Sequence, residues 1–234
     1  MTTPTADHQA RLLPRHVAVI GAAGGLGQGI LGVCREAGVG FTAIVRSRPQ
    51  RITDVPVGSR VVVVKSLGDR SALTEAFAGA DAVLTALGVT PTAQEHSALL
   101  SANMATVEQS MLDAGVDRIL VVNTLLTPLP GHPASRILRF FMWMPGTMGR
   151  GAREQQAVVD ALGHGAFSSL RWTLVRGGLN SRGKHERPVA SADWAGAANS
   201  WSPVSYAAMG RWMLEEAAAN AFVRAAPLVS RRRT

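Results

Sequence analysis

Three glycines, Gly21, Gly24 and Gly27, stand three residues apart in the run Gly21-Ala22-Ala23-Gly24-Gly25-Leu26-Gly27. This spacing can hold a phosphate. A residue without a Cβ permits a tight turn, lets the backbone approach a pyrophosphate, and allows the following helix to pack close to the preceding strand. Free N–H groups at the helix start then face the phosphate oxygens. A glycine triplet alone is weak evidence, because such a turn can be only a turn. The context decides: HVAVIG (His16–Gly21), apolar and β-branched, runs directly into the loop. Leu26, Ile30, Val33 and Ala37 follow at helical spacing, and Gly38 closes the helix.

A second group with chemistry lies at the end of the next strand, FTAIVR (Phe41–Arg46). A site for NAD usually carries an Asp or Glu there, for the ribose 2′-hydroxyl. This chain has Arg46-Ser47-Arg48, and its next acid is Asp54. Guanidinium groups pair with phosphate through a planar fork of donors. The expected ligand is therefore NADP(H) in preference to NAD(H), with Arg46 and Arg48 at the 2′-phosphate. The bland alternative is a pair of surface arginines at a strand end.

The elements that must position these groups follow in a regular order. VVVVK (Val61–Lys65) reads as a third strand, its unbroken apolar run suiting burial on both faces. Ser71 is placed to cap a helix to Ala78. DAVLTALG (Asp81–Gly88) reads as strand four. Leu100, Met104, Val107 and Met111 mark a helix ending at Gly115. RILVVNT (Arg118–Thr124) is strand five, a helix covers about Glu154–Leu162, and LRWTLVR (Leu170–Arg176) is strand six. Alternation of this kind gives an α/β fold: a doubly wound, mainly parallel sheet of Rossmann type with helices on both faces. The reading is one domain over residues 15–230, preceded by a flexible arm over 1–14. The segments at about 125–153 and 177–202 fall on the substrate side.

Composition bounds the rest. The chain has 234 residues, of which 47% are hydrophobic and 17% charged, enough apolar material for a full core. One cysteine, Cys34, excludes an intrachain disulfide and a cysteine-based zinc finger. No run approaches the roughly 18 apolar residues of a membrane span. The N-terminal residues lack the apolar stretch of a secretory signal, so a cytoplasmic protein is expected. The net charge of +8 is almost all arginine, and the only lysines are Lys65 and Lys184. Such a balance fits nucleic acid, an acidic membrane surface or an anionic ligand. The arginines are scattered apart from Arg231–Arg233, so nucleic acid is disfavoured. No metal site is expected from the spacing of His, Asp and Glu. No G-x-S-x-G elbow supports a hydrolase.

The chain resembles the atypical short-chain dehydrogenase/reductases over roughly residues 16–215. The resemblance is strongest to the NAD(P)H-binding branch that includes biliverdin-IXβ/flavin reductases and NmrA-like proteins. It rests on VAVIGAAGGLG, IVRSR, DAVLTALG, GVDRILVVNT, RWTLVRGGL and SPVSYAAMGRWMLEE. It implies that Gly21, Ala23, Gly24, Gly25, Leu26 and Gly27 form the pyrophosphate loop and that Arg46 meets the 2′-phosphate. Ser66 and Leu67 would border the adenine, although the family often has Asp where Ser66 stands. Leu87 and Gly88 would lie beside the nicotinamide ribose, and Thr124 beside the nicotinamide as the catalytic-side hydroxyl.

The wider superfamily uses a Tyr four residues before a Lys. The only tyrosine here is Tyr206, and Gly210 stands four residues on, so the pair is absent by count. Ordinary ketone reduction needs a positioned acid. Hydride transfer to an acceptor that takes its proton from solvent does not, and such acceptors include flavins, quinones and linear tetrapyrroles. The expected substrate is a flat, hydrophobic small molecule. The row Phe140-Phe141-Met142-Trp143-Met144, with His132 and Arg153, is a candidate wall for it, and the alternative for that row is simple packing on the sheet. Phe141 and Trp143 are its candidate contacts. Two functions remain open: an NADPH-dependent oxidoreductase, or a non-catalytic NADP(H)-sensing regulator of NmrA-like type. The protein would act as a monomer or homodimer.

Overall fold

The computed structural model describes residues 13–87, 100–179, 185–192, 198–199 and 203–232. Strand β1 (His16–Ile20) pairs in parallel with β2 (Gly40–Val45) on one side and β4 (Ala82–Thr85) on the other. β3 (Arg60–Val63) adds to β2, β5 (Arg118–Thr124) to β4, and β6 (Arg171–Gly177) to β5, all parallel. After β6 come β7 (Val189–Ser191), β8 (Ala198–Asn199) and β9 (Leu228–Arg232). β9 is parallel to β6 and antiparallel to β7 and β8. The order is therefore β3-β2-β1-β4-β5-β6-β9-β7, with β8 also on β9. Its first six strands follow the doubly wound Rossmann order.

Each strand sends alternate side chains to opposite faces, and both faces are covered. Val17 and Val19 join one core with α1 (Gly25–Ala37) and α6 (Tyr206–Ala219), through Ile30, Met209 and Met213. Ala18 and Ile20 join the other, with α2 (Arg70–Phe77), α3 (Leu100–Asp113) and α5 (Gly146–Gly163), through Leu73, Met104 and Val159. Helix α1 ends as expected at Gly38, whose φ of 68° is the left-handed cap conformation that glycine adopts freely.

Three readings of the sequence change. β3 lies at the sheet edge, and Val63 is 48% exposed. An apolar run reports strand character but not the number of neighbours. Helix α2 is capped by Asp69, whose carboxylate accepts the Ala72 N–H at 3.0 Å, rather than by Ser71. α5 begins at Gly146, well before Glu154, and is preceded by α4 (Arg136–Trp143), capped by Ser135. Of the N-terminal arm, residues 1–12 lie outside the described residues. Leu13 packs against the first core and Pro14 is buried.

Among the described residues, one ion pair is wholly internal. Arg118, at the start of β5, is 1% exposed and donates to Glu216 Oε1 of α6 at 2.9 Å. The same oxygen accepts the Phe222 N–H at 2.8 Å, and Arg118 also donates to the Arg171 carbonyl at 2.7 Å. Burial pulls the Arg118 guanidinium down to about 10, which still leaves it charged at neutral pH.

Candidate functional site

The C-terminal ends of β1, β2, β4, β5 and β6 open on a cleft of about 690 Å³. Its floor is the glycine loop. The Gly21 N–H and Ala22 N–H both donate to the Ile44 carbonyl, tying the loop to β2. Gly21 has φ of +83°, and a Cβ there would stand 2.9 Å from the Ala86 oxygen. Gly24 precedes α1 in extended conformation and supplies no side-chain cap. The first-turn N–H groups of Gly25, Leu26 and Gly27 therefore have no acceptor within the helix. Their orphan donors and the helix dipole favour an anion in the cleft.

Gly21, Ala23, Gly24, Gly25 and Leu26 line the cleft; Gly27 does not. A Cβ on Gly27 would lie 2.5 Å from the Gly21 oxygen and 2.6 Å from the Ala22 Cα. Its bare Cα serves the seating of α1 against the loop.

A row of arginines forms the β2 end of the cleft. Arg46, Ser47, Arg48 and Arg51 all line it. Arg48 adopts φ of 58° and turns the chain into the short 3-10 helix Pro49–Arg51. Gln28, one turn into α1, donates to the Ala22 carbonyl at 3.3 Å and the Arg51 carbonyl at 3.1 Å. Arg35 donates to the carbonyls of Thr53 (2.5 Å) and Asp54 (2.7 Å). α1 thus holds both the glycine loop and the arginine segment. Arg51 was missed in the sequence; reading on past Arg48 for further cations would have found it.

The opposite wall is built from β4, β5 and α5. Leu87 and Thr124 line the cleft, together with Thr85, Asn123, Glu154, Gln155 and Val158. Thr124 is half-buried. Its N–H donates to Asn123 Oδ1 at 2.8 Å, its carbonyl accepts the Thr127 hydroxyl at 2.7 Å, and its own Oγ1 has no partner among the described residues. Asn123 is fixed in turn by donating to the Gln155 carbonyl at 3.0 Å. Buried Arg176 donates to the Thr127 carbonyl at 3.1 Å and pins the loop that follows Thr124.

Glu154 is the only carboxylate lining the cleft among the described residues. It accepts the Ser101 N–H at 3.0 Å and the Ser101 hydroxyl at 2.5 Å, at the start of α3. Tyr206, set aside for lack of a paired lysine, lines the cleft at the start of α6. Its ring edge covers Gly25: a Cβ there would lie 2.5 Å from Tyr206 Cε2. Neither residue carries a sequence signal, because helices distant in the chain bring them in.

Other expected site residues lie elsewhere. Ser66 does not line the cleft, and its hydroxyl accepts the Gly68 N–H at 3.0 Å. Leu67 is buried in the second core. Gly88 lies outside the described residues. His132, Phe141, Trp143 and Arg153 do not line the cleft. His132 is exposed, Trp143 is 80% exposed, and Arg153 donates to the Met142 carbonyl at the end of α4. Cys34 is buried, which pushes its thiol up to about 12 and removes it as a nucleophile. Among the described residues no group of His, Cys, Asp and Glu could hold a metal ion.

Comparison with known proteins agrees with this geometry. Residues 21–225 match the family described as NAD(P)H-binding. No curated protein matches the sequence. Among solved structures, the chain is similar to a short-chain dehydrogenase/reductase from Veillonella parvula in complex with NADP, at 17% identity and TM-score 0.64, over 93% of this chain and 95% of that one. It is similar to ChuY, an anaerobillin reductase from Escherichia coli O157:H7, at 16% identity and TM-score 0.64, over 92% and 96%. A Rossmann-fold NAD(P)-binding family protein from Shigella flexneri matches at 16% identity and TM-score 0.62, over 93% of each chain. At these identities the structural likenesses speak for the fold. The family match spans most of the chain, and the cleft is floored by the glycine loop between β1 and α1: this chain belongs to the NAD(P)H-binding family.

Proposed function

We propose that the protein is an NADPH-dependent oxidoreductase acting on a flat hydrophobic acceptor such as a flavin or a quinone. The observation that carries the cofactor choice is the row Arg46, Arg48 and Arg51 at the β2 end of the cleft, with no carboxylate beside it among the described lining residues. Gly21, Ala23, Gly24, Gly25 and Leu26 would hold the pyrophosphate, and Leu87 and Thr124 would border the nicotinamide end. Bound NADPH supplies a hydride equivalent. The chain's own residues bind it, orient it and shape the space beside it. Thr124 orients the reacting pair through its hydroxyl, held by the Asn123–Gln155 link behind it.

Titration of both cofactors tests the selectivity. NADPH is expected to bind at least tenfold more tightly than NADH, which corresponds to ~1.4 kcal/mol. That lies within reach of a charge-assisted phosphate contact. Arg46→Ala should erase most of the difference. Equal affinities in the wild type would remove the assignment.

Turnover of NADPH with flavin or quinone acceptors tests the chemistry. Thr124→Val keeps the shape and loses the hydroxyl. It should lower turnover by roughly ten- to a hundredfold, with little change in cofactor affinity. Simple ketones should react very slowly. If they react well, Glu154 and Tyr206 are the cleft side chains to substitute in search of the acid.

A second reading is favoured by the absent Tyr-Lys pair. The protein would then be an NADP(H)-sensing regulator of NmrA-like type, binding the cofactor without consuming it. Tight NADPH binding with no turnover on any flavin or quinone would select it.

A further inference from the structure

Two residues of the apolar row that was a candidate substrate wall, Phe140 and Trp143, face outward, and the other three are half-buried. Phe140 is 59% exposed, Trp143 80%, Ile137 52%, Met148 53% and Leu129 41%. In α4 only Leu138 is buried. At about 100° per residue, Arg136, Phe140 and Trp143 all lie within about 40° of the direction opposite Leu138. Ile137 and Arg139 flank them. The face turned away from the core is thus aromatic and basic together. Residues 125–153 hold four arginines (Arg136, Arg139, Arg150 and Arg153) and no Asp or Glu.

We propose that α4 and the start of α5 form a surface that docks on an anionic lipid bilayer. Exposed Trp and Phe on a short helix, with guanidinium groups beside them, are the means by which an interfacial helix sits at the headgroup boundary. The aromatics enter the boundary and the arginines meet lipid phosphates. No spanning segment is needed, and among the described residues no helix is long and apolar enough to cross a membrane.

Charge separates this occupant from the others. A symmetric contact between two copies would gather Arg136 and Arg139 of both in one interface, with no acid in residues 125–153 to offset them. A nucleic-acid strand would use the arginines and aromatics but leave Ile137 and Met148 without a role. A lipid surface uses all of them. The inference goes beyond the oxidoreductase reading and stands without it. If both hold, the surface lies on the helix that carries Glu154, Gln155 and Val158 to the cleft, and would bring the site to acceptors dissolved in the bilayer.

Co-sedimentation of the full-length protein tests it, with vesicles of phosphatidylcholine alone or with about a third phosphatidylglycerol. The wild type should partition at least about tenfold better onto the anionic vesicles, and high salt should remove most of that gain. Phe140→Ser with Trp143→Ser should lower partitioning by about tenfold or more, as should Arg136→Gln with Arg139→Gln. The four side chains are exposed, so the melting temperature should stay unchanged and report on folding. Wild-type protein that ignores anionic vesicles overturns the proposal, as does either double variant binding like the wild type. So does self-association, or oligonucleotide binding, that is lost in the aromatic double variant while no vesicle binding is seen.

Discussion

Gly24→Val is expected to weaken NADPH binding by at least about a hundredfold, ~2.8 kcal/mol, in a protein that still folds. Gly24 has φ of −79° and ψ of 171°, open to any residue. A Cβ there would meet the Gly21 oxygen at 3.3 Å and the Ala86 oxygen at 3.7 Å, close but bearable. The γ-methyls of valine are then left with the cleft itself, where the pyrophosphate would lie. Gly27→Val should behave differently. Its Cβ would collide with backbone at 2.5 Å, so α1 must shift, at a cost of roughly 1–3 kcal/mol or more in stability. Equilibrium titration with parallel thermal melts separates the two effects. Normal NADPH affinity in Gly24→Val would mean that the loop is only a turn.

Glu216→Ala should be among the most destabilising single changes, by about 3–5 kcal/mol, because it leaves the Arg118 charge buried and uncompensated. Arg118 and Glu216 side chains are 1% and 4% exposed, and Arg118 Nε already lacks a partner among the described residues. The loss also strips the Phe222 N–H of its acceptor. Replacing both partners with apolar residues, as in Arg118→Met with Glu216→Leu, should recover much of the stability, since two desolvation costs disappear together. Urea unfolding provides the measurement. A Glu216→Ala protein within about 1 kcal/mol of wild type would show that water reaches the pair.

Both effects reach unequally back to the sequence. The glycine loop was legible because its signal is local: strand, turn and helix lie within one stretch of chain. Strand β5 was readable as Arg118–Thr124 because RILVVNT is a β-branched run that starts just after the turn at Gly115. The edge position of β3 was not legible, since VVVV would serve equally in the middle of a sheet. β9 was hidden because LVSRR looks like a charged tail, although it pairs with three strands. Tyr206 and Glu154 reach the cleft through tertiary packing that no spacing announces. The Phe140–Trp143 row was legible as apolar and basic, but the direction it faces depends on how α4 meets the sheet, and that is settled by Leu138 alone.

The seam between α1 and α6 also has a consequence for how the protein is made. A Cβ on Gly29 would strike the Tyr206 backbone at 2.7 Å, and one on Gly210 would lie 3.0 Å from the Ile30 Cα, so the two helices meet almost backbone to backbone. They are separated by about 180 residues of chain. At ribosomal rates of about 5–20 residues per second, the glycine loop waits roughly ten to forty seconds for the helix that walls it. Until then Ile30 and its neighbours have no cover on that side. The cleft is begun near the start of the chain and completed near its end, so a truncated nascent chain carries the loop motif without the wall that completes its cleft.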